Sequence, residues 1–159
     1  MMPDAIKQII TDMECFEATI READYSKCGY HIEVQISKFQ IRDLVALLHK
    51  KEFYLVFVTA VHVRPATEII YQFAHFDKLC RINCRVKVDA FGSMPTISDI
   101  FQGANWHERE VKDMFGIFFI DHPNLAPLIL SEEDADLKPL LKNDKTLKPS
   151  EEIRRQKTQ

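Results

Sequence analysis

Residues 80–90, "CRINCRVKVDA", alternate between two kinds of side chain. Successive side chains of a β-strand point to opposite faces, so this pattern predicts a strand with one packed face and one polar face. The apolar set is Cys80, Ile82, Cys84, Val86 and Val88, and the polar set is Arg81, Asn83, Arg85 and Lys87. No other stretch of the chain alternates so cleanly, and the fold is built outward from it.

Two more strands are expected before this one. Residues 52–63, "EFYLVFVTAVHV", are almost continuously apolar or β-branched, which favours a central strand covered on both faces. Arg64-Pro65 makes a turn, and Ile69, Tyr71 and Phe73 then recur at every second position. The short connections favour hairpins.

The first 50 residues predict two helices and another strand. Apolar residues recur at three and four within residues 3–16, as on a helix face, and residues 30–36 alternate as a half-buried strand does. Ser37 and Gln40 have the spacing of a capping box at the start of a second helix, whose apolar stripe runs to Leu48.

This order predicts an α+β fold: a two-layer domain with a mixed or mostly antiparallel sheet and helices on one face. Residues 1–92 form its core in this interpretation. Residues 93–130 add a short helical piece at 96–101, a charged helix and an extended docking segment, and residues 131–159 form a polar tail, mobile or ordered by a partner.

Composition limits the class of protein. A chain of 159 residues with 46% apolar and 28% charged residues is typical of one globular domain. Its net charge of -3 gives no general attraction to nucleic acid or anionic lipid. The longest apolar run, residues 53–61, is far shorter than the roughly 20 residues of a membrane-spanning helix, and the start shows no secretory signal. The four cysteines are expected to be buried thiols in a reducing cytoplasm.

Residues 106–116, "WHEREVKDMFG", carry six ionisable side chains. A helical wheel puts Trp106, His107, Glu110, Val111, Met114 and Phe115 on one half, and Glu108, Arg109, Lys112 and Asp113 on the other. Glu110 would then be buried between Trp106 and Met114, where a carboxylate needs an internal partner. Gly116 is placed to end the helix.

Several functions compete for this helix. A solvated, salt-bridged helix face is the plainest interpretation, and a helix wedged against a partner protein is the alternative. A zinc-binding HExxH motif fails because Val111 stands where the second histidine belongs, and the side chains of Glu108 and Glu110 diverge on a helix. An independent enzyme and RNA binding by the stripe Arg81, Arg85 and Lys87 are less favoured.

The chain after the helix has the features of a docking segment. His122 precedes Pro123, which favours extended backbone, and a lone histidine is more often structural than a ligand. Residues 123–130 are rich in leucine and isoleucine, with a second proline at Pro127. Apolar residues in an extended segment suggest a segment laid along another protein.

The pattern Glu108-Arg109-Glu110, Asp113, Met114-Phe115 and His122 resembles the signature of the thirty-kilodalton subunit family of respiratory complex I. That family also supplies the equivalent subunit of membrane-bound, energy-conserving [NiFe] hydrogenases and formate hydrogenlyases. The resemblance is strong over residues 95–130 and weaker before them.

The resemblance implies a non-catalytic scaffold subunit that holds no cofactor and no metal. It would dock on a large catalytic subunit and stabilise its contact with an iron-sulfur small subunit, at the cytoplasmic face of the membrane, without nucleic acid and without a membrane span of its own. The expected docking residues are Trp106, Glu108, Arg109, Glu110, Asp113, His122 and Pro123.

Two departures from the family pattern bear on which complex is meant. Ala126 stands where the family commonly has a basic residue or proline. Residues 131–145, "SEEDADLKPLLKNDK", replace the longer extension usual in complex I members. We therefore expect the hydrogenase version, with the equivalent subunit of an NADH:quinone oxidoreductase as the alternative.

Overall fold

A computed structural model of the chain describes residues 4–88, 92–142 and 148–149. Its helices are α1 (Asp4–Met13), α2 (Tyr25–Cys28), α3 (Ile41–Lys50) and α4 (Ala104–Phe115), with a 3-10 turn at Glu132–Asp134. Its strands are β1 (Thr19–Glu22), β2 (Ile32–Ile36), β3 (Phe53–His62), β4 (Thr67–His75), β5 (Arg81–Val88), β6 (Ser93–Pro95) and β7 (Phe118–Ile120).

Five strands form one mixed sheet in the order β1-β2-β5-β4-β3, and β6 and β7 form a small parallel pair. The β2–β5 pair is parallel, whereas β1–β2, β3–β4 and β4–β5 are antiparallel. The strand that the alternation predicted is the central one. Ile82, Cys84 and Val86 are fully buried, as expected for its apolar face.

The prediction that residues 52–63 form a central strand is wrong, because β3 is the last strand of the sheet. Its apolar character has another cause. Helices α3 and α4 both contact β3, so this strand is covered although β4 is its one sheet neighbour among the residues that the structure describes. A continuous apolar run reports burial, and burial by helices looks the same in sequence as burial by strands.

One hydrophobic core joins the apolar face of the sheet to the helices, which confirms the two-layer α+β architecture. The sheet contributes Tyr71 and Phe73, and the helices contribute Met13, Leu48 and Phe115. The opposite face of the sheet carries the polar set of β5. Within the described ranges, no helix combines the length and the apolar character that crossing a membrane requires.

The structure confirms some of the helix ends and elements predicted from local sequence patterns, but not others. Helix α4 ends at Gly116, whose φ of 75° is left-handed, as its position predicts. Ser37 and Gln40 do not form a capping box; the hydroxyl of Ser37 accepts from the N–H of Phe39 instead, and α3 begins after Gln40 without a side-chain cap. Neither β1 nor α2 was predicted, and the expected helical piece at 96–101 consists of turns and irregular chain.

The polar tail also departs from expectation where it is described. The N–H of Leu140 donates to the carbonyl of Met114 (3.1 Å), and that of Arg64 donates to the carbonyl of Lys148 (3.1 Å). The N–H of Lys142 donates to Nδ1 of His62 (3.0 Å). This part of residues 131–159 is therefore attached to the domain, and the rest lies outside the described residues.

The cysteine expectation holds for two of the four thiols. Cys80 and Cys84 are buried, whereas Cys15 is exposed and Cys28 is half-buried, and all four are free. Burial raises the pKa of the Cys80 thiol to about 11. Cys15 lies just beyond the end of α1 and Cys28 in the one-turn helix α2, where neither side chain faces the core.

The buried hydroxyl of Tyr71 has no hydrogen-bond partner among the described residues, whereas Tyr30 donates to the Glu33 carboxylate (2.9 Å). We expect Tyr71→Phe to leave the free energy of unfolding unchanged or to raise it by up to about 1 kcal/mol, because an unpaired buried hydroxyl is costly. The control Tyr30→Phe should lower it by about 1 kcal/mol. Urea denaturation of the two variants measures both; a clear loss in Tyr71→Phe would contradict the assignment.

Candidate partner-docking site

Helix α4 is rotated relative to the orientation that the wheel predicted. Its core-facing residues are Ala104, Glu108, Val111 and Phe115, all buried. Glu110 is exposed and Trp106 is 61% exposed, so the prediction of a buried, internally paired Glu110 is wrong. The wheel began at Trp106 and treated its bulk as a core signal, but the helix begins two residues earlier, and Ala104 belongs to the buried stripe.

Glu108 is the carboxylate that lies inside the core, with no exposed surface. One carboxylate oxygen accepts from the N–H of Ile97 (2.8 Å), and the other accepts from the hydroxyl of Thr96. Burial raises the pKa of Glu108 to about 7, although these two hydrogen bonds oppose the shift. Glu108 thereby fixes the irregular chain after β6 to α4.

The same stretch is supported from outside by Arg42 on α3. Its guanidinium donates to the carbonyl of Thr96 and forms a two-point ion pair with Asp99 (2.8 and 2.6 Å). Arg42 and Asp99 were missed from sequence because 57 residues separate them and neither belongs to a recognisable motif. Thr96 and Ser98, which form a buried hydroxyl pair (2.8 Å), were missed because the contact of Thr96 with Glu108 depends on the tertiary fold.

His122 has a neutral ring in one defined tautomer. Its Nδ1 accepts from the N–H of Asn124 (3.1 Å), so Nε2 carries the hydrogen and donates to the carbonyl of Asn105 (3.2 Å). Burial lowers the pKa of His122, and its Nε2 lies 3.7 Å from the Glu108 carboxylate. His122 therefore ties the chain after β7 to the first turn of α4, as a structural histidine does.

Arg109, Lys112 and Asp113 hold residues 125–130 against α4, an arrangement we call the α4 clasp. Arg109 donates to the carbonyls of Ala126 (2.9 Å) and Pro127 (2.7 Å). Lys112 donates to the carbonyl of Leu125 (2.7 Å). The cations of the helix meet backbone oxygens rather than side-chain carboxylates, in charge-assisted hydrogen bonds.

The anion of the clasp meets backbone N–H groups. One oxygen of Asp113 accepts from Leu128 (2.8 Å), Ile129 (2.9 Å) and Leu130 (3.3 Å). Burial opposes the charged carboxylate, but the three donors outweigh it and lower the pKa of Asp113. The backbone of this segment therefore lies on this chain's own helix, and its contact with another protein stays a prediction.

The remaining expected docking residues lie at the surface. Trp106, Glu110 and Pro123 are exposed, and the Arg109 guanidinium stacks 5.3 Å from the centre of the Trp106 ring. Two further apolar side chains, Phe118 (55% exposed) and Ile120 (44%), project from β7 beside α4. We call Trp106, Glu110, Phe118, Ile120 and Pro123 the α4–β7 surface. Residues 117–120, "IFFI", are all apolar, and a strand points alternate side chains to opposite faces, so the sequence could have indicated that two of these side chains lie at the surface.

Of the three cations in the basic stripe considered for RNA, Arg85 is neutralised by ion pairs within the chain. Arg85 bonds the carboxylates of Glu33 (3.0 Å) and Glu68 (3.2 Å), and all three side chains are nearly buried.

In the described part of the chain, no three His, Cys, Asp or Glu side chains converge as they would around a metal ion.

Because the pKa of Glu108 is raised, we expect the free energy of unfolding to depend on pH. In the folded chain the Glu108 carboxyl group stays protonated up to about pH 7, whereas in the unfolded chain it loses its proton near pH 4.5. The free energy of unfolding therefore falls as the pH rises from 4.5 to 7. Glu108→Gln, which resembles the protonated acid, lacks this dependence. Its free energy of unfolding relative to the unsubstituted chain should therefore rise by about 2 to 3 kcal/mol from pH 5 to pH 8. Denaturation at both pH values measures this, and a difference independent of pH would refute it.

The α4 clasp makes a second prediction. Asp113→Ala leaves three backbone N–H groups without their acceptor, which should lower the free energy of unfolding by about 2 to 3 kcal/mol at neutral pH. Hydrogen exchange of the Leu128 and Ile129 amides should accelerate. Because the pKa of Asp113 is lowered, the contribution should be lost as pH falls below the ordinary aspartate range.

The matched control is Glu110→Ala, at an exposed position three residues earlier on the same helix. It should change stability by less than about 0.5 kcal/mol. Unchanged amide exchange at residues 128–130 in Asp113→Ala would rule out the clasp.

Comparison with known proteins gives consistent results. The family described as the respiratory-chain NADH dehydrogenase 30 kDa subunit matches residues 34–150. A subunit of the NADH-quinone oxidoreductase of Ruegeria pomeroyi is 30% identical over 139 residues, covering 80% of this chain and 67% of the relative. The corresponding protein of a Roseiflexus species is 42% identical over 70 residues, but the match covers only 43% of this chain and 40% of that relative.

A solved structure has the same fold. A chain of the membrane-bound sulfane sulfur reductase, an archaeal respiratory membrane complex, aligns with a TM-score of 0.71 and 22% identity over 96% of this chain and 89% of that chain. The resemblance carried by the signature residues is confirmed. The chain belongs to the family of the respiratory-chain NADH dehydrogenase 30 kDa subunit.

Proposed function

We propose that this chain is a non-catalytic scaffold subunit of a membrane-associated redox complex related to complex I, and that its α4–β7 surface docks on the large catalytic subunit. The observation that carries the proposal is Trp106: a large aromatic ring, 61% exposed, held in place by the Arg109 guanidinium. Tryptophan and arginine are the residues that most often dominate the binding energy of protein interfaces.

The surroundings of Trp106 suit an interface. Phe118 and Ile120 are also large, apolar and exposed. The bond between His122 and Asn105 keeps the end of β7 beside the first turn of α4. Covering this apolar area with a partner would stabilise the assembly by about 25 cal/mol per Å² removed from water, less the cost of association.

The expected docking residues divide by role in this proposal. Trp106, Glu110 and Pro123 contact the partner directly. Glu108, Asp113 and His122 shape the surface from inside, because their polar atoms bond to this chain. Arg109 does both: it stacks on Trp106 and holds residues 126 and 127, so substituting it would disturb the fold and the interface together.

The partners proposed are the large catalytic subunit and the iron-sulfur small subunit, with the assembly at the cytoplasmic face of the membrane. We propose the membrane-bound [NiFe] hydrogenase version because Ala126 and residues 131–145 depart from the pattern usual in complex I members. The NADH:quinone oxidoreductase is the second candidate, because the relatives from Ruegeria pomeroyi and Roseiflexus carry that name. Mass spectrometry and nickel analysis of the complex purified through a tagged copy separate the two.

Trp106→Ala should release the chain from its complex. Losing an anchor of this kind weakens binding by about 2 kcal/mol or more, roughly 30-fold. The ratio of large subunit to tagged chain, measured after purification, should fall accordingly. The isolated variant should keep its melting temperature, because the ring is mostly exposed.

Phe39→Ala is the matched control, since Phe39 is a more exposed aromatic residue (83%) away from α4 and β7. It should leave the ratio of subunits unchanged. The proposal fails if Trp106→Ala purifies with the same ratio as Phe39→Ala.

A further inference from the structure

We propose a second interaction surface at the free edge of β1, which accepts an extended segment of a partner protein as a sixth strand. The segment we propose alternates apolar and polar side chains and is flanked by lysine or arginine. This surface is separate from the α4–β7 surface and does not depend on the function proposed for it.

The backbone of β1 is open to pairing. Within the described residues it is the last strand of the five-stranded sheet, and its one strand partner is β2. In an antiparallel pair, about half of an edge strand's N–H and C=O groups face away from its partner, and these groups can pair with an added strand. The opposite edge of the sheet, β3, is contacted by α4, and its end bonds Lys142.

The core is also open beside β1. A groove of about 320 Å³ lies between the end of α1 and this strand. Its apolar lining consists of Ile10, Phe16, Ala18 and Ile20, which are all half-buried and pack against the main core. A strand added to β1 would point every second side chain into this groove, where apolar residues would extend the core.

The charges at the groove select the flanks of the segment. Glu14 and Glu22 complete the lining, and both are exposed. Among the residues that the structure describes, neither carboxylate has a hydrogen bond or ion pair from a side chain. Two unneutralised carboxylates beside an apolar groove attract basic residues and repel acidic ones, which argues for lysine or arginine next to the apolar positions.

Photocrosslinking of the full chain in intact cells tests the proposal. The photoreactive p-benzoylphenylalanine replaces Phe16, so that an aromatic ring is kept at the groove, and the crosslinked peptide is identified by mass spectrometry. We expect one peptide from another protein, with alternating apolar residues and basic flanks. The same photoreactive residue in place of Phe76, 70% exposed at the β4–β5 turn, is the control and should not capture that peptide.

Charge reversal supplies the second measurement. Glu14→Lys combined with Glu22→Lys should lower the crosslinking yield about tenfold, because like charges then face the basic flanks. Glu17→Lys, an equally exposed reversal outside the groove, should leave the yield unchanged. All variants must keep the melting temperature of the unsubstituted chain.

Three results would overturn the proposal. They are no crosslink from position 16, a crosslink to a helical or acidic segment, and a crosslink to another part of this chain or to a second copy. Each is independent of whether Trp106→Ala releases the chain, so the two proposals can fail separately.

Discussion

The α4 clasp is the interaction on which the surface of this protein depends. Residues 125–130 have little regular structure of their own, so their backbone groups need partners from elsewhere. Arg109, Lys112 and Asp113 supply them, with cations on the carbonyls and the anion on the N–H groups. The density of charge on α4, which exposed ion pairs would scarcely explain, follows from this task.

The buried side of the same helix also supplies hydrogen-bond partners to irregular chain. The Glu108 carboxylate accepts hydrogen bonds from the Thr96 hydroxyl and the Ile97 N–H on the core side. Arg42 donates to the Thr96 carbonyl from the solvent side. A carboxylate in a core is costly, and here it replaces a turn or helix cap that the local sequence does not provide. The two faces of α4 thus fasten the preceding and the following chain, and the surface between them is held in a fixed shape. A rigid surface loses less entropy when a partner binds.

Structural features that depend on one local pattern could be predicted from the sequence. The alternation in residues 80–88 identified the central strand, and Gly116 marked the end of α4. Features that depend on contacts between distant residues could not be predicted from the sequence. The burial of Glu108 rather than Glu110 depends on where the helix starts and on Thr96, and the edge position of β3 depends on helices that cover it. The charged residues of the family signature do serve the fold, because Glu108, Arg109 and Asp113 hold the chain segments on both sides of α4.

The parallel pairing of β2 with β5 has a consequence for biosynthesis. Residues 32–36 pair with residues 82–86, so the strand made early has no partner on that side until about fifty more residues have left the ribosome. The hairpin partners β3 and β4, by contrast, are nearly adjacent in sequence. Until β5 is made, the edge of β2 that faces it has no strand partner, and an unpaired strand edge of this kind favours aggregation during folding.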